Sequence, residues 1–377
     1  MTEVPFVDFR AHVRGIRADL DRALARVLDS GWFILGPEGE AFEKELAAYL
    51  DAKEAVAVAN GTEAIQLALE ALGVGKGDEV VTSPLTAAFT ALAVLRAGGT
   101  PVFADLDPRT LNVDPAAVEA ALTPRTKALL PVHLYGHPCD LDPLLALARK
   151  RGIPLVEDAC QAVGARYRGR RVGAISGIGA LSFYPTKNLG ALGDGGAVVV
   201  NDPEVARRLR RLRNGGQSDR YRHEVVGVNS RLDEMQAALL RASLGHLEAW
   251  TERRRALAAR YQEALATAGV EVPREQEYAT AVWHLFVVRH DRRDDLMAGL
   301  KERGIGTLVH YPIPLHLQPA FPGTGRKGQF PVAEREAGRI LSLPLYPEMT
   351  DAQVDAVIAA VRDVAPRLSA PAPPGRG

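Results

Sequence analysis

The chain has 377 residues, of which 47% are hydrophobic and 24% charged, and its 46 basic side chains balance its 46 acidic ones. This composition excludes a disordered chain, and the lack of a basic excess argues against nucleic acid or a membrane surface as partner. No stretch approaches the 18 or so uninterrupted apolar residues of a membrane span. With only two cysteines, Cys139 and Cys160, and no secretory pattern in MTEVPFVDFR, we expect a cytoplasmic protein.

The predicted elements start with an N-terminal arm and alternate between strand and helix from residue 55 onward. An amphipathic helix is predicted over Asp19–Ser30, and a turn at Gly36–Gly39 follows it. The later predictions, in chain order, are a strand at Ala55–Ala59, a helix at Gly61–Leu72, a strand at Asp78–Thr82, a helix at Ala87–Arg96, strands at Pro101–Ala104 and Lys127–Val132, a helix at Leu141–Arg151, strands at Pro154–Glu157, Leu181–Tyr184 and Ala197–Val200, a helical stretch at Leu232–Leu265, a strand at Val282–Arg289, and helices at Leu296–Arg303 and Asp351–Val361.

This alternation is typical of an α/β fold, in which helices cover both faces of a mostly parallel sheet. We expect a large α/β domain with an N-terminal arm over residues 1–241 and a smaller α+β domain over residues 242–368. The Pro-, Ala- and Gly-rich residues 369–377 are predicted to form a disordered tail. Ligands of such sheets bind beyond the carboxyl ends of the strands, so polar residues at those ends are candidates for a site.

Lysine is rare in this chain, which has eight lysines and 38 arginines. Between Arg151 and Leu300 the single lysine is Lys187. Arginine stays protonated, whereas a lysine amine can lose its proton and act as a nucleophile or base. The segment from Ser182 to Gly190, SFYPTKNLG, surrounds this lysine with apolar and aromatic neighbours, which favours a chemical role; an exposed loop lysine is the alternative.

Two further motifs follow predicted strands. Asn60-Gly61-Thr62 opens a helix, where free backbone N–H groups attract a phosphate; ordinary capping by Asn60 or Thr62 is the alternative. Glu157 and Asp158 end a buried strand, where an acid can hold a cationic ring nitrogen; a solvated strand end or a helix cap is the alternative. Pyridoxal phosphate (PLP) needs such a lysine, acid and phosphate cradle together.

Six segments make the interpretation more specific. They are NGTEAIQLAL, TKALLPVHLYGHPCDLD, VEDACQAVGARYRGRRVG, LSFYPTKNLGALGDGGAVV, NSRLDEMQAALL and VHYPIPLHLQPAF. Together they resemble the DegT/DnrJ/EryC1/StrS family of PLP-dependent sugar aminotransferases, which have the type I, aspartate-aminotransferase-like fold. The resemblance covers roughly Val7 to Val364.

The resemblance implies a role for each matching residue. Lys187 would be the catalytic residue, joined to the cofactor as an imine and then moving the proton. Asp158 would pair with the ring nitrogen of the cofactor, and Gln161 would bind its ring hydroxyl. Gly61, Thr62 and Ser182 would hold the phosphate, together with Asn229 of the partner subunit. The substrate would be bound by Tyr184, Arg231, His310, Tyr311 and His316.

The resemblance also implies the reaction and the assembly. Glutamate would donate the amino group to a nucleotide-linked keto sugar, at an active site shared within a homodimer. Lys187 favours transamination, because the dehydratases of the family carry histidine there. HYPIPLHLQ most resembles enzymes acting at the sugar 3-position, so a dTDP- or UDP-linked 3-keto hexose is expected. The alternatives are a cyclitol or another keto compound as acceptor, or a non-catalytic sensor that binds the cofactor or a sugar nucleotide.

One stretch departs from the family pattern. Members carry Thr-aromatic-x-Ala-Thr after the second strand, and the aromatic side chain stacks on the cofactor ring; here Ala87 takes that place. Phe89 is two residues on, and positions two apart on a helix point about 200° from each other. One face of the ring is therefore expected to be less covered. His133 and His137 have no matching acid cluster, so no metal site is expected.

Overall fold

The computed structural model describes residues 3–369, so the predicted tail lies outside the described residues apart from Ser369, which ends the final helix. The helices are α1 (Phe9–Gly15), α2 (Arg17–Ser30), α3 (Pro37–Tyr49), α4 (Gly61–Ala71), α5 (Ala88–Arg96), α6 (Pro115–Ala121), α7 (Leu141–Arg151), α8 (Pro203–Leu212), α9 (Glu234–Leu244), α10 (Leu247–Leu265), α11 (Arg293–Glu302), α12 (Pro331–Ala337) and α13 (Asp351–Ser369). The strands are β1 (Glu54–Val58), β2 (Glu79–Thr82), β3 (Thr100–Phe103), β4 (Thr126–Leu130), β5 (Glu157–Asp158), β6 (Arg166–Tyr167), β7 (Arg170–Arg171), β8 (Ile178–Ser182), β9 (Gly196–Val200), β10 (Gln217–Asp219), β11 (Arg222–His223), β12 (Ala279–Thr280), β13 (Phe286–Arg289) and β14 (Ile340–Leu343).

The main sheet consists of two groups of strands, β1-β9-β8-β5 and β3-β2-β4. Parallel bridges from Leu129 to Leu155 and from Val132 to Asp158 join β4 to the β5 segment, so the groups form one layer. β9 runs antiparallel to both of its neighbours, whereas β5 with β8, and β2 with β3 and β4, pair in parallel. The expectation of a mostly parallel sheet is confirmed.

Both faces of this sheet are buried, because successive side chains of a strand point to opposite sides. In β1, Ala55 and Ala57 pack in one hydrophobic cluster with residues of α3, α7 and α9. Val56 and Val58 pack in another cluster, with residues of α4, α5 and α8. Helices therefore cover the sheet on both sides, and only its strand ends remain available for polar groups.

Several predicted elements differ in detail from the structure; the predicted strand Val282–Arg289, for example, is β13 at Phe286–Arg289 only. Gly36–Gly39 is not a free turn: Gly36 is the N-cap of α3 and Pro37 occupies the first helical turn, where its missing N–H costs nothing. The helical stretch Leu232–Leu265 is divided into α9 and α10 by Gly245 and His246.

The C-terminal part of the chain forms a further hydrophobic cluster around the antiparallel pair of β13 and β14. Helices α10, α11 and α13 contribute to it, and so does Val4 from near the other end of the chain. The domain boundary at residue 241 stays a prediction. Among residues 3–369, no helix combines the length and apolar character needed to cross a membrane.

Candidate active site around Lys187

Lys187 lies in the connection between β8 and β9. The backbone of this connection is tied at both ends, since Phe183 N–H donates to Gly195 O at 2.8 Å and Ala191 N–H donates to Phe183 O at 2.8 Å. Lys187 N–H donates to Tyr184 O at 2.8 Å, which closes a turn immediately before the lysine. The connection is therefore a fixed loop.

The Lys187 amine is held in a low-polarity environment. Burial lowers the pKa of Lys187, against the opposing effects of nearby Cys160 and Asp158. Its Nζ makes no hydrogen bond or ion pair with any residue between 3 and 369. A lysine amine with these properties loses its proton more readily than one on the surface, and it is free to react.

Asp158, at the end of β5, interacts electrostatically with Lys187, and the residue is only 2% exposed. Thr90 Oγ1 donates to Asp158 Oδ2 at 2.8 Å, and Cys160 N–H donates to Asp158 Oδ1 at 3.2 Å. Within residues 3–369 no cationic side chain lies within ion-pair distance of this carboxylate. A buried acid without a cation fits a protonated ring nitrogen of a bound group.

The N-terminus of α4 approaches the end of β8 at Gly61. A Cβ at this position would lie 2.6 Å from Ser182 Cβ and 3.1 Å from Cys160 Sγ, so only glycine fits here. Asn60 Oδ1 accepts from Glu63 N–H at 2.9 Å, so the capping interpretation is right for Asn60. The first N–H groups of the helix, near Gly61 and Thr62, still need acceptors, which a phosphate can supply.

Gln161 joins the sheet edge to the C-terminal part of the chain. Its Oε1 accepts from Tyr135 N–H at 2.8 Å, and its Nε2 donates to Tyr311 Oη at 3.3 Å. Tyr135 Oη in turn donates to His310 O. These contacts bring Gln161, His310 and Tyr311 together, and they leave one N–H of the Gln161 amide for a ligand. Burial and the charge of Lys187 lower the pKa of His310 to about 4, so its imidazole is neutral at pH 7.

The other predicted site residues are placed differently. Tyr184 and Asn229 are exposed, and Arg231 donates to Asn214 Oδ1 at 3.2 Å. Between Asn229 and Arg231, Ser230 Oγ accepts from Ala59 N–H at 3.1 Å, so this segment lies beside the N-terminus of α4.

His316 is packed inside the protein. Its Nε2 lies 3.0 Å from Glu334 Oε1, and its ring packs edge-on against Phe330. In the described part of the chain its ring makes no hydrogen bond to Lys187, Asp158 or Gln161, so its predicted substrate role stays a prediction.

A model of the DegT/DnrJ/EryC1/StrS aminotransferase family matches residues 15–362. The chain belongs to this family. A dTDP-3-amino-3,4,6-trideoxy-alpha-D-glucose transaminase from Streptomyces venezuelae is 53% identical over 367 residues, covering 97% of each chain. The erythromycin biosynthesis sensory transduction protein EryC1 from Saccharopolyspora erythraea is 52% identical over 362 residues, covering 96% of this chain and 99% of that protein.

The crystal structure of DesV from S. venezuelae, in complex with a ketimine intermediate, superposes with a TM-score of 0.95 at 53% identity. The match covers 97% of this chain and 99% of that one. The predicted family and the type I aminotransferase fold are confirmed. Within residues 3–369 of this DegT-family chain, no group of three or more His, Cys, Asp and Glu side chains could hold a metal ion.

Sequence reasoning missed two polar residues of the site. Thr90 contacts Asp158 across a long sequence separation, and the only local signal was the departure in Thr86–Thr90. His284 is buried, and its Nδ1 has no hydrogen-bond partner among the described residues. Burial, followed by the charges of Lys187 and Arg254, lowers the pKa of His284 well below its usual value, so a neutral imidazole stands near the lysine.

Proposed function

We propose that this DegT-family chain is a PLP-dependent aminotransferase that transfers an amino group to a nucleotide-linked keto sugar. One observation carries the proposal: the Lys187 amine, without a hydrogen bond or ion pair among residues 3–369, interacts electrostatically with the buried Asp158 carboxylate, close to the N-terminus of α4. The family and the transaminase relative support the same reaction.

The residues present fit the cofactor. Gly61, Thr62 and Ser182 would hold the phosphate, because the Gly61 cradle excludes any Cβ and the helix N-terminus favours an anion. Asp158 would hold the ring nitrogen, and the free N–H of Gln161 would bind the ring hydroxyl. Bound PLP supplies an electron-withdrawing ring that spreads the negative charge left when a proton leaves the carbon carrying the amino group.

Lys187 performs the proton transfer in this proposal. Because burial lowers its pKa, the free amine gives up its proton more readily than a surface lysine and can then take a proton from the amino donor. The same amine then returns the proton to the cofactor side, and the second half of the reaction uses these positions in reverse. The fixed loop between β8 and β9 keeps the amine in reach throughout.

The covalent role of Lys187 can be tested directly. The loaded protein should absorb in the visible, and borohydride should fix the cofactor to the peptide that contains Lys187. Lys187→Ala should bind the cofactor without this linkage, whereas the exposed Lys150→Ala should behave as wild type. Recovery of the cofactor on any other lysine would contradict the assignment.

We infer that glutamate is the donor and that the new amine is formed at the sugar 3-position. The HYPIPLHLQ segment and the dTDP-3-amino sugar transaminase relative support the position. Bleaching of the visible band by glutamate, followed by its return with dTDP- or UDP-linked 3-keto hexoses, is expected. A chain that binds cofactor but never bleaches would instead favour the sensor interpretation, in line with the name of the sensory transduction protein EryC1.

A homodimer with shared sites is part of the proposal. Trp32, Phe33 and Ile34 expose apolar surface, as do Tyr221 and Val226 around the hairpin of β10 and β11. A second copy of the chain would cover these side chains.

The shared site depends on Asn229 of the partner subunit reaching the phosphate. Mixing inactive Lys187→Ala chains with inactive Asn229→Ala chains should restore part of the activity, because one site of each mixed dimer keeps both residues. Mixtures that stay inactive after verified subunit exchange would exclude the shared site. A cytoplasmic location is also inferred, since both cysteines are free thiols.

A further inference from the structure

The side chain of Asp158 is oriented by a residue from a different element. Its backbone is fixed in the sheet, where Asp158 N–H donates to Pro131 O at 2.9 Å and Asp158 O accepts from His133 N–H at 3.0 Å. The contact from Cys160 N–H to Oδ1 comes from the same turn of chain. Among residues 3–369, the Thr90 hydroxyl on Oδ2 is the one hydrogen-bond donor to this carboxylate that comes from elsewhere in the fold.

We propose that Thr90 is a positioning residue that fixes the plane of the Asp158 carboxylate for the ring nitrogen of the cofactor. This inference rests on the proposed function. If it holds, Thr90 contributes to the affinity for the cofactor and to the pH at which the bound cofactor changes its protonation state.

The location of Thr90 suits this role. It is the third residue of α5, its N–H donates to Ala87 O at 3.1 Å, and it is 3% exposed. The next turn of α5 carries Ala91, Ala93 and Val94, all fully buried, so the helix cannot move away from the sheet without exposing them. A threonine side chain is also stiff about its first torsion, which keeps the hydroxyl on the carboxylate.

The hydrogen bond leaves the acid free to bind a ligand. Each carboxylate oxygen accepts more than one hydrogen bond, so Oδ2 can take the Thr90 hydroxyl and still face a ring N–H. Without that donor, the carboxylate can rotate away from the line of the ring nitrogen. The ring then holds its proton less firmly.

Three variants separate the hydroxyl from the shape of the side chain. Thr90→Val keeps the volume and removes the donor, and Thr90→Ser keeps the donor. Thr251→Val is the control, because Thr251 on α10 is buried and its Oγ1 has no partner among the described residues. Each purified variant is titrated with pyridoxal phosphate, and the dissociation constant and the pH midpoint of the visible band are measured.

We expect Thr90→Val to weaken cofactor binding about tenfold, which corresponds to about 1.4 kcal/mol. Its visible band should titrate at a higher pH than in wild type. A ring nitrogen that holds its proton less firmly puts less positive charge near the nitrogen joining Lys187 to the cofactor, which then keeps its own proton to higher pH. Thr90→Ser and Thr251→Val should stay close to wild type in both measurements.

The other titratable groups that interact with Asp158 are the same in every variant, so they do not cause the difference. They are Lys187, Cys139, Cys160 and Tyr311. A Thr90→Val protein with unchanged affinity and unchanged midpoint overturns the proposal, and so does a Thr90→Ser protein that loses the cofactor as readily as Thr90→Val. If Thr90→Val does not fold, Thr90→Ala replaces it under the same criteria.

Borohydride labelling distinguishes failure of this inference from failure of the proposed function. If borohydride labels wild type at Lys187 but Thr90→Val has unchanged cofactor affinity and pH midpoint, only the role of Thr90 is rejected. Wild type that captures no cofactor removes the proposed function itself.

Discussion

At Gly61, a single methyl group would fill the space between α4 and the strand opposite it. In Gly61→Ala the new Cβ would lie 2.6 Å from Ser182 Cβ, so the cradle must open. Overpacking of this kind costs about 1–3 kcal/mol, and we expect cofactor affinity to fall by tenfold or more. Equilibrium titration with pyridoxal phosphate measures the change.

Gly75→Ala is the matched control for that prediction, because a Cβ there meets nothing within 4 Å and the residue has no positive φ. It should bind the cofactor as wild type does. Equal affinities for the two variants would show that Gly61 is not in contact with the bound group.

Ala87 leads to a prediction in the opposite direction. Phe89 is 61% exposed in the described chain, so it does not replace the missing aromatic within one subunit. An offset-stacked aromatic ring contributes about 0.5–1.5 kcal/mol beyond its buried area. Ala87→Phe should therefore slow the loss of cofactor several-fold, measured by dialysis and absorbance, while Phe89→Ala should not. Faster loss from a folded Ala87→Phe protein would mean that another side chain already covers the ring.

The residues of the site differ in how far the sequence could predict them. Lys187, Asp158 and Gln161 lie in short sequence motifs. The residue types in these motifs, and their position after predicted strands, indicate their chemistry. Thr90 and His284 reach the site only through contacts between distant segments, which no local pattern encodes. The burial of His316 against Glu334 depends in the same way on packing.

Among the elements, α3 begins with a cap supplied by another helix. Its own N-cap residue, Gly36, has no side chain to accept the free N–H groups. Glu234 from α9 accepts from Gly36, Glu38 and Gly39 N–H at 2.8–2.9 Å. This buried carboxylate fixes α3 against α9.

Glu234→Gln replaces one accepting oxygen with an N–H donor that opposes the backbone donors. Hydrogen bonds to a charged group contribute about 1.5–3 kcal/mol each, so we expect unfolding to become easier by at least about 2 kcal/mol. Urea unfolding midpoints of Glu234→Gln and of the exposed control Glu252→Gln test this. A loss of stability shared equally by both variants would be inconsistent with the cap.

Element prediction succeeded where periodicity was strong and failed where a side chain from elsewhere decides the structure. The predicted helix at Leu141–Arg151 matches α7. Gly36–Gly39 reads as a turn because Gly and Pro are turn residues, and only the distant carboxylate of Glu234 turns those residues into a helix start. The order of the sheet, with β9 antiparallel between β1 and β8, depends on long-range pairing in the same way.

For the whole molecule, buried neutral histidines make stability depend on pH. Burial lowers the pKa of His137 and His284, and the pKa of His310 falls from 6.5 to about 4. At His310 the unfolded chain therefore binds more protons than the folded chain between pH 6.5 and about pH 4. The contribution of this residue to stability is fully present above about pH 6.5 and is lost as the pH falls toward 4.

His310→Asn should reduce that acid sensitivity. For a pKa of 6.5 unfolded and about 4 folded, linkage gives about 2 kcal/mol less stability at pH 5 than at pH 7 from this residue. The difference between urea midpoints at pH 7 and pH 5 should shrink in the variant, whatever its absolute stability. An unchanged difference would mean that His310 is not neutral in the folded protein.

Val4 pairs with the far end of the chain, since its N–H donates to Gly304 O at 2.9 Å and its carbonyl accepts from Gly306 N–H at 2.8 Å. On the ribosome, the segment around Val4 is made long before Gly304 emerges. The hydrophobic cluster that contains Val4 must therefore stay incomplete until translation is nearly finished. Every other buried member of that cluster lies between Leu257 and Ala365, so Val4 can join it only after the main sheet has been made.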